Sequence, residues 1–419
     1  MSTSKRRHIV IVGGGFGGIN AARVLRKSDA KITLIDKTNH HLFQPLLYQV
    51  ATAALSPGDI AAPIRDIVGK NLNIDVLMGE VERVNPDSKS LLMVGGRTIQ
   101  YDQLILAPGS QYNYFQHDAW EEFAPGLKTI GDALQIRERI LLSLEEADQI
   151  DDPTLREPFL TFVIIGGGPT GVEMAGAIAE IAKRNMLRDF RNISPNEVRI
   201  FLVEAAPTIL NAFSESLSAK AVEILENMGV RVLLNTPVTE IHKNSVSFKK
   251  GSISTPNIIW AAGVLASPLL KTLGAEMDRT GRVMVQPDLS VPGHPEIFVI
   301  GDGAYVEDKN GVPLPALAPV AMQQGEFIGK LLKANKSGGS TEAVFNYLDK
   351  GTMATIGRAK AVADIRGLKF SGFIAWFLWS FVHILFLIGF RNRFRVFAEW
   401  MWYYFSFKRG VRLITGRKG

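Results

Sequence analysis

The chain has 419 residues, 46% of them apolar, which is enough for two or three domains with sizeable cores. It contains no cysteine, so a disulfide framework, a thiolate metal site and an electron relay through a cysteine pair are all excluded. The net charge of +6 is uneven: residues 351–419 carry 12 Lys or Arg against only Asp364 and Glu399, whereas residues 1–350 carry 35 basic and 39 acidic groups.

Residues 1–7 are polar and basic and lead directly into a β-branched run from His8 to Val12, which leaves no room for an apolar signal segment; the body is expected in the cytosol. The turn Gly13-Gly14-Gly15-Phe16-Gly17-Gly18 follows. In a strand-turn-helix context Gly13 serves the tight turn, Gly15 the close approach of a pyrophosphate, and Gly18 the packing of helix on strand. The pyrophosphate then meets the helix N-terminus, where unpaired N–H groups favour an anion. A strand over Ile32 to Ile35 ends in Asp36, 18 residues after Gly18, placed to accept both hydroxyls of an adenosine ribose. Tyr101 to Ser110 reads as a buried strand running into a small-residue turn that returns to the same nucleotide.

The same turn recurs 153 residues later as Gly166-Gly167-Gly168-Pro169-Thr170-Gly171, after the run Phe162 to Ile165. A helix over about Val172 to Arg184 and a strand over Arg199 to Val203 ending in Glu204 complete this second unit. Glu204 lies 33 residues beyond Gly171, an excess that the polar stretch Asn185 to Asn196 accounts for. An acid at this place repels a 2′-phosphate, so the unit favours NADH over NADPH. Ile258 to Gly263 is the counterpart of the Tyr101 to Ser110 return. Ile297 to Ala304, carrying Asp302, lies beyond the second unit and is expected to rejoin the first sheet. The fold class is therefore α/β, with two Rossmann-like dinucleotide-binding domains, the second inserted in the first. The expected boundaries are 1–115 with 285–345, then 155–280, and a C-terminal segment over 350–419.

In that last segment Phe373 to Phe390 is an 18-residue apolar stretch broken only by Ser380, His383 and Gly389. Arg391, Arg393 and Arg395 follow, then a second aromatic run from Val396 to Phe407 that ends in Lys408, Arg409 and Arg412. This layout suits two amphipathic interfacial helices on an anionic membrane surface rather than a nucleic-acid partner, with Trp376, Trp379, Trp400 and Trp402 in the headgroup belt. A single span, and packing on the chain's own domain or a partner subunit, are the alternatives. No bundle of spans with intramembrane carboxylates is present, so no ion pumping is expected.

The segment Asn39 to Ala51 (NHHLFQPLLYQVA), Trp260 to Val264, Asp302, and Ala318 to Gln324 with the basic aromatic tail together resemble the two-dinucleotide-binding-domain flavoproteins, and within them type II NADH:quinone oxidoreductase. The resemblance covers essentially the whole chain. It implies FAD at the first turn, contacted by Gly13, Gly15, Phe16, Gly17, Gly18, Asp36, Lys37, Gln44, Val81, Ala107, Gly109, Asp302 and Ala321. It implies NADH at the second, contacted by Gly166, Gly168, Pro169, Thr170, Gly171, Glu204, Ala262 and Gly263.

In the resembled family an Ala-Gln-x-Ala-x-Gln signature lines the quinone site. Here Ala318, Ala321 and Gln323 match, while Pro319 replaces the first Gln and removes both an amide and a backbone N–H. Gln323 is carried over as a catalytic candidate; the alternative is that its helix only covers the flavin. Glu173 is the second, implied to lie between the nicotinamide and quinone regions; the bland alternative is an acid that stabilises a helix N-terminus. His40 and His41 are given no catalytic role, and no metal is expected. The absence of cysteine excludes glutathione-reductase-like, peroxide-reducing and sulfide-oxidising relatives.

The implied activity is FAD-dependent oxidation of NADH with two-electron reduction of a membrane quinone, in which hydride transfer depends mainly on orientation. The implied setting is peripheral, on the cytoplasmic face of the cell membrane, and the resemblance admits a homodimer. A reductase of a soluble carrier and a non-enzymatic NADH-sensing flavoprotein are the rival readings.

Overall fold

A computed structural model describes residues 6–69, 71–181, 190–334, 343–406 and 411–414. They form two compact units. The first comprises the chain up to Leu42, Ala61–Gln111 and Val264–Leu348, and the second Phe43–Ile60, Tyr112–Gly263 and the chain from Asp349 onward.

The first unit is built on a six-stranded sheet in the order Ser290–Val291, His294–Val299, Gln103–Leu106, His8–Val12, Lys31–Asp36, Ile74–Met78. All its pairs are parallel except the short outer one. Ile9, Ile11, Ile32, Leu34 and Ile105 are fully buried, as near-continuous apolar runs must be when a parallel sheet is covered on both faces. The strand His294–Val299 pairs with Gln103–Leu106, so the chain does rejoin its first sheet after an intervening excursion. An antiparallel sheet of Val81–Asn85, Ser90–Met93 and Thr98–Gln100 completes the core. The helices Phe16–Leu25 and Ala318–Ala334 meet backbone to backbone, because a Cβ on Gly325 would come within 2.2 Å of the Gly17 carbonyl oxygen.

The second unit repeats the motif with a parallel sheet in the order Val230–Leu233, Arg199–Val203, Thr161–Ile165, Asn257–Trp260. Its glycine-turn helix spans Pro169–Glu180, starting three residues before the expected Val172. Proline at the first helical position has its φ already set for the helix and forfeits no hydrogen bond there. Glu173 consequently sits in the second turn, beyond the strongest reach of the helix dipole, and the dipole-stabilising alternative loses its basis. The expected helix residues 182–184 lie outside the described ones. The helix Ile130–Asp148 opens with a capping box between Thr129 and Asp132 and packs against the short helix Leu47–Ala51.

The C-terminal part of this unit is an antiparallel sheet of Thr352–Gly357, Lys360–Ile365 and Leu368–Ser371, followed by helices Gly372–Phe386 and Phe390–Ser406. The apolar stretch Phe373 to Phe390 thus forms one helix that ends at Phe386, and Leu387, which is buried, and Gly389 with φ +90° separate it from the helix carrying the second aromatic run. No helix among the described residues is long and apolar enough to cross a membrane. Two of the four tryptophans depart from a headgroup position. Trp379 is 2% exposed, and the Trp400 indole N–H donates to Gln49 Oε1 at 2.8 Å. The two rings stack at 5.6 Å and turn inward because a buried indole needs both apolar cover and a hydrogen-bond acceptor. Trp402 remains exposed. The basic end at Lys408 and Arg409 lies outside the described residues.

Candidate active site

The two glycine turns are built alike. Gly13 (φ +104°) and Gly166 (φ +111°) adopt conformations that favour glycine, and a Cβ on either would strike the return strand at Ala107 or Ala261. Gly18 and Gly171 press their Cα atoms onto the carbonyl oxygens of Gly13 and Gly166, leaving 1.8 Å for a Cβ in both cases. Gly15 and Gly168, by contrast, face open space, with nothing within 4 Å of a Cβ position. These two cap the helices Phe16–Leu25 and Pro169–Glu180 without any side-chain hydrogen bond, so the helix N–H groups are left for a ligand. Clear space, uncapped amides and a positive helix end fit a pyrophosphate at each turn.

Asp36 Oδ2 accepts from the Gly14 amide at 2.6 Å, and its Oδ1 from Thr38 N at 2.7 Å. Glu204 does the same in the second unit, with Oε2 accepting from Gly167 N at 2.6 Å and Oε1 from Ala206 N at 2.7 Å. Each acid therefore ties the strand end to the middle of its glycine turn, a role additional to the expected ribose contact. Phe16 and Gly17 open the first helix, and the Phe16 ring stands edge-on to the buried His41, whose Nδ1 pairs with Gly14 O at 2.9 Å. Burial lowers the His41 pKa, more strongly than the Gly14 bond raises it, so the imidazole acts as a neutral brace. Lys37 is exposed and Val81 buries its side chain in the core.

On the return strands Gly109 has φ +72°, and Ser110 Oγ donates to Asp302 Oδ2 at 2.6 Å. Ala321 lies against Gly301, whose amide donates to Gln324 Oε1 at 2.6 Å. Gln324, 1% exposed, was not singled out in the sequence; it is the side chain that fixes the turn bearing Asp302. Its neighbour Gln323 instead exchanges two hydrogen bonds with the Leu348 backbone, both at 3.0 Å. Pro169 and Thr170 open the second helix, and Gly263 (φ +67°) lies against the Phe115 ring beside Ala262. Gln44 belongs to the second unit, where its amide donates to Lys128 O at 3.2 Å.

Glu173 opens onto a cavity within the second unit, whose empty space is about 650 Å3, the open mouth included. Its walls come from the Leu47–Ala51 helix (Tyr48, Gln49), the strand end Thr355 to Arg358, and the tail tryptophans Trp376, Trp379 and Trp400. Gln49 links two of these walls, accepting from Trp400 and donating to Tyr48 Oη at 2.8 Å. Glu173 is part-buried, and desolvation pushes its carboxyl pKa well above the ordinary value against a weaker opposing hydrogen bond from the Thr355 backbone. Desolvation thus favours the protonated carboxyl of Glu173, which can give up that proton to a bound acceptor.

Residues 7–325 match the pyridine nucleotide-disulphide oxidoreductase family, and residues 350–408 match the NDH2 C-terminal domain. The chain is 42% identical to the type II NADH:quinone oxidoreductase Ndh of Mycobacterium tuberculosis, over 99% of this chain and 91% of that one. It is 43% identical to NdhA of the same organism, over 98% and 90%. Among solved structures, NDH2 from Plasmodium falciparum in complex with NADH superposes with a TM-score of 0.88 at 21% identity, over 97% of this chain and all of that one. A sulfide:quinone oxidoreductase from Aquifex aeolicus follows at 0.72 and 18%, over 96% and 95%. With paired dinucleotide turns, a matching tail domain and full-length identity above 40%, the chain belongs to the type II NADH:quinone oxidoreductases.

Proposed function

We propose that in this NADH:quinone oxidoreductase the quinone ring enters the cavity around Glu173 from a membrane surface, and that Glu173 supplies a proton to it. The single observation carrying this is the Glu173 carboxyl lining a cavity walled by aromatic side chains of the C-terminal helices, where desolvation pushes its pKa up. A planar apolar ring with polar carbonyls suits such walls, and burial keeps the acid protonated until a more basic acceptor arrives. FAD, when bound, would supply the two-electron redox chemistry that links NADH to quinone. Gly13, Gly15, Gly18 and Asp36 would hold that flavin nucleotide, and Gly166, Gly168, Gly171 and Glu204 the NADH, with Glu204 turning away a 2′-phosphate.

The membrane side of the reading rests on one stripe of the Gly372–Phe386 helix. Phe373, Phe377, Phe381 and Leu385, four residues apart, are each at least half exposed, while Ala375 and Trp379 on the other side are buried. Phe394, Phe397 and Trp402 extend the apolar surface on the next helix, beside exposed Arg391 and Arg395. Such a surface lies in a lipid interface, with cations toward anionic headgroups on the cytoplasmic face, and needs no ion translocation.

Anaerobic spectra test the redox reading: NADH is expected to bleach the flavin and a short-chain quinone to restore it, whereas a flavin that stays bleached overturns it. Co-sedimentation with anionic vesicles tests the surface. Phe377→Glu with Phe381→Glu is expected to abolish sedimentation and leave the flavin spectrum intact; unchanged sedimentation overturns the membrane assignment.

A further inference from the structure

Glu173, Ala177 and Glu180 occupy positions i, i+4 and i+7 of the Pro169–Glu180 helix and so share one face. All three line the cavity, with the two acids roughly 10 Å apart along the helix at 1.5 Å per residue. Between them Ala177 projects only a methyl group, which leaves a groove along the helix. On the facing strand Gly357 makes room for the Glu180 carboxylate: a Cβ there would come within 2.9 Å of Glu180 Oε1. That oxygen accepts from the Arg358 amide, which fixes the carboxylate at the cavity wall. A third acid, Glu399 on the last helix, lines the same cavity and is exposed. The other titratable groups on the walls are Tyr48, from the Leu47–Ala51 helix, and Arg358.

The cavity also asks for a polar occupant. Trp379 and Ser380 line it and are 2% and 8% exposed, yet Trp379 Nε1 and Ser380 Oγ have no protein hydrogen-bond partner. Buried polar groups are nearly always paired, so water or a substrate oxygen is the natural complement. A water-bearing groove between carboxylates is a route for protons.

The balance of the reaction requires such a route: NADH, quinone and one proton give NAD+ and quinol. One hydrogen arrives with the hydride and its electron pair, and the second is a proton taken from solvent in every turnover. Glu173 lines the cavity, so the route by which its proton is replaced runs along the cavity walls.

We propose that Glu180 is the positioning acid that reprotonates Glu173, receiving the proton from the solvent side by way of Glu399 and passing it along the groove over Ala177. This rests on the assignment of Glu173 as proton donor to quinone. Glu180 touches neither quinone nor flavin in this scheme and acts only through Glu173.

The test is stopped-flow on the full-length, FAD-loaded enzyme. Flavin bleaching by NADH and its reoxidation by a short-chain quinone are recorded separately across pH. Glu180→Gln retains an acceptor for the Arg358 amide but cannot carry a proton. It is expected to leave bleaching unchanged and to slow reoxidation roughly ten- to hundredfold at alkaline pH, less at acid pH. Added small weak acids that fit the cavity, such as formate, are expected to restore the rate. Glu180→Asp is expected to recover most of it, and Glu399→Gln to show a milder form of the same pH dependence.

Reoxidation equal to wild type at every pH in Glu180→Gln overturns the proposal. So does a slowing that is independent of pH and not rescued by acid or by the Asp variant, since that is a structural effect. If Glu173→Gln itself reoxidises normally, the underlying assignment of Glu173 fails instead.

Discussion

Gly176 and Ile356 are in contact closer than any other residue at position 176 would allow: a Cβ on Gly176 would come within 1.5 Å of the Ile356 carbonyl oxygen. The helix that follows the second glycine turn is thereby seated directly on a strand of the C-terminal sheet. This is the contact that brings Thr355 to Arg358 opposite Glu173 and Glu180 and gives the cavity its second wall. The second glycine-turn helix and the C-terminal sheet are packed together at this point, so changes in the tail reach the acid.

Gly176→Ala tests that seating. The added methyl cannot be accommodated by a flexible side chain, because its neighbour is backbone. Overpacking of this kind costs typically 1–3 kcal/mol, and the fully enclosed site puts it at about 3. A lowered melting temperature is expected, together with a raised KM for quinone and an unaltered rate of flavin bleaching by NADH. A variant as stable as wild type with an unchanged quinone KM shows that helix and strand are not locked together.

Glu173→Gln removes the proton and keeps the shape. Reoxidation of the flavin by quinone is expected to slow by roughly ten- to hundredfold while FAD content stays normal. The pH sign follows from the raised carboxyl pKa. The folded chain holds this proton to a higher pH than the unfolded chain does, so the wild type loses stability as pH climbs from the ordinary Glu value near 4.5 through the raised one. The amide has no such loss. The variant is therefore expected to be slower yet more stable than wild type at neutral and alkaline pH, as denaturant titrations at several pH values would show. A variant less stable at alkaline pH contradicts the desolvated-acid description.

Which of these features the sequence discloses depends on how local they are. Gly18 and Gly171 were readable because each answers a carbonyl oxygen five residues earlier, Gly13 and Gly166 because they belong to the same short turn although the strands they abut lie far along the chain, and Asp36 and Glu204 because each ends the next strand of the same motif. The return of Ile297 to Val299 to the first sheet follows from order alone. Gly176 had no such signature: its reason is a strand 180 residues later, and a glycine inside a helix reads only as a weak helix former. The same holds for Trp379 and Trp400. Composition marks them as membrane-belt residues, and only their packing against Gln49 and the cavity shows that they face inward. Gln324 lay one position from the residue the motif pointed to; helix phase, which puts one glutamine against Gly301 and the other against Leu348, separates them.

Glu204→Gln removes the charge and keeps the tether to Gly167. The amide oxygen can still accept from Gly167, while the bond from the Ala206 amide and the negative charge that disfavours a 2′-phosphate are both lost. The kcat/KM for NADH is expected to fall about tenfold, equivalent to about 1.4 kcal/mol, and the ratio of NADPH to NADH use to rise. Steady-state kinetics with both nucleotides decide the matter. If the NADPH to NADH ratio does not move, Glu204 serves the turn alone.

His383 provides the acid-side counterpart. Its ring stacks on Trp379 at 4.2 Å and its Nδ1 donates to the Trp379 carbonyl at 2.6 Å. Burial pushes its pKa down from 6.5 to about 4, outweighing the upward pull of that bond. The unfolded chain therefore takes up a proton near pH 6.5 that the folded chain refuses until about pH 4. Folding loses stability as pH falls across that window, by up to about 3 kcal/mol, and none of this loss is present above it. His383→Leu keeps an apolar side chain in the stack and cannot titrate. Its unfolding free energy is expected to fall less steeply than that of the wild type between pH 7 and pH 4, the difference appearing first in tryptophan fluorescence because Trp379 and Trp400 stack on each other beside the imidazole. Parallel pH profiles for the two proteins would mean that the imidazole takes up its proton at the same pH in the folded and unfolded chain, and that the tail helix opens to solvent at His383.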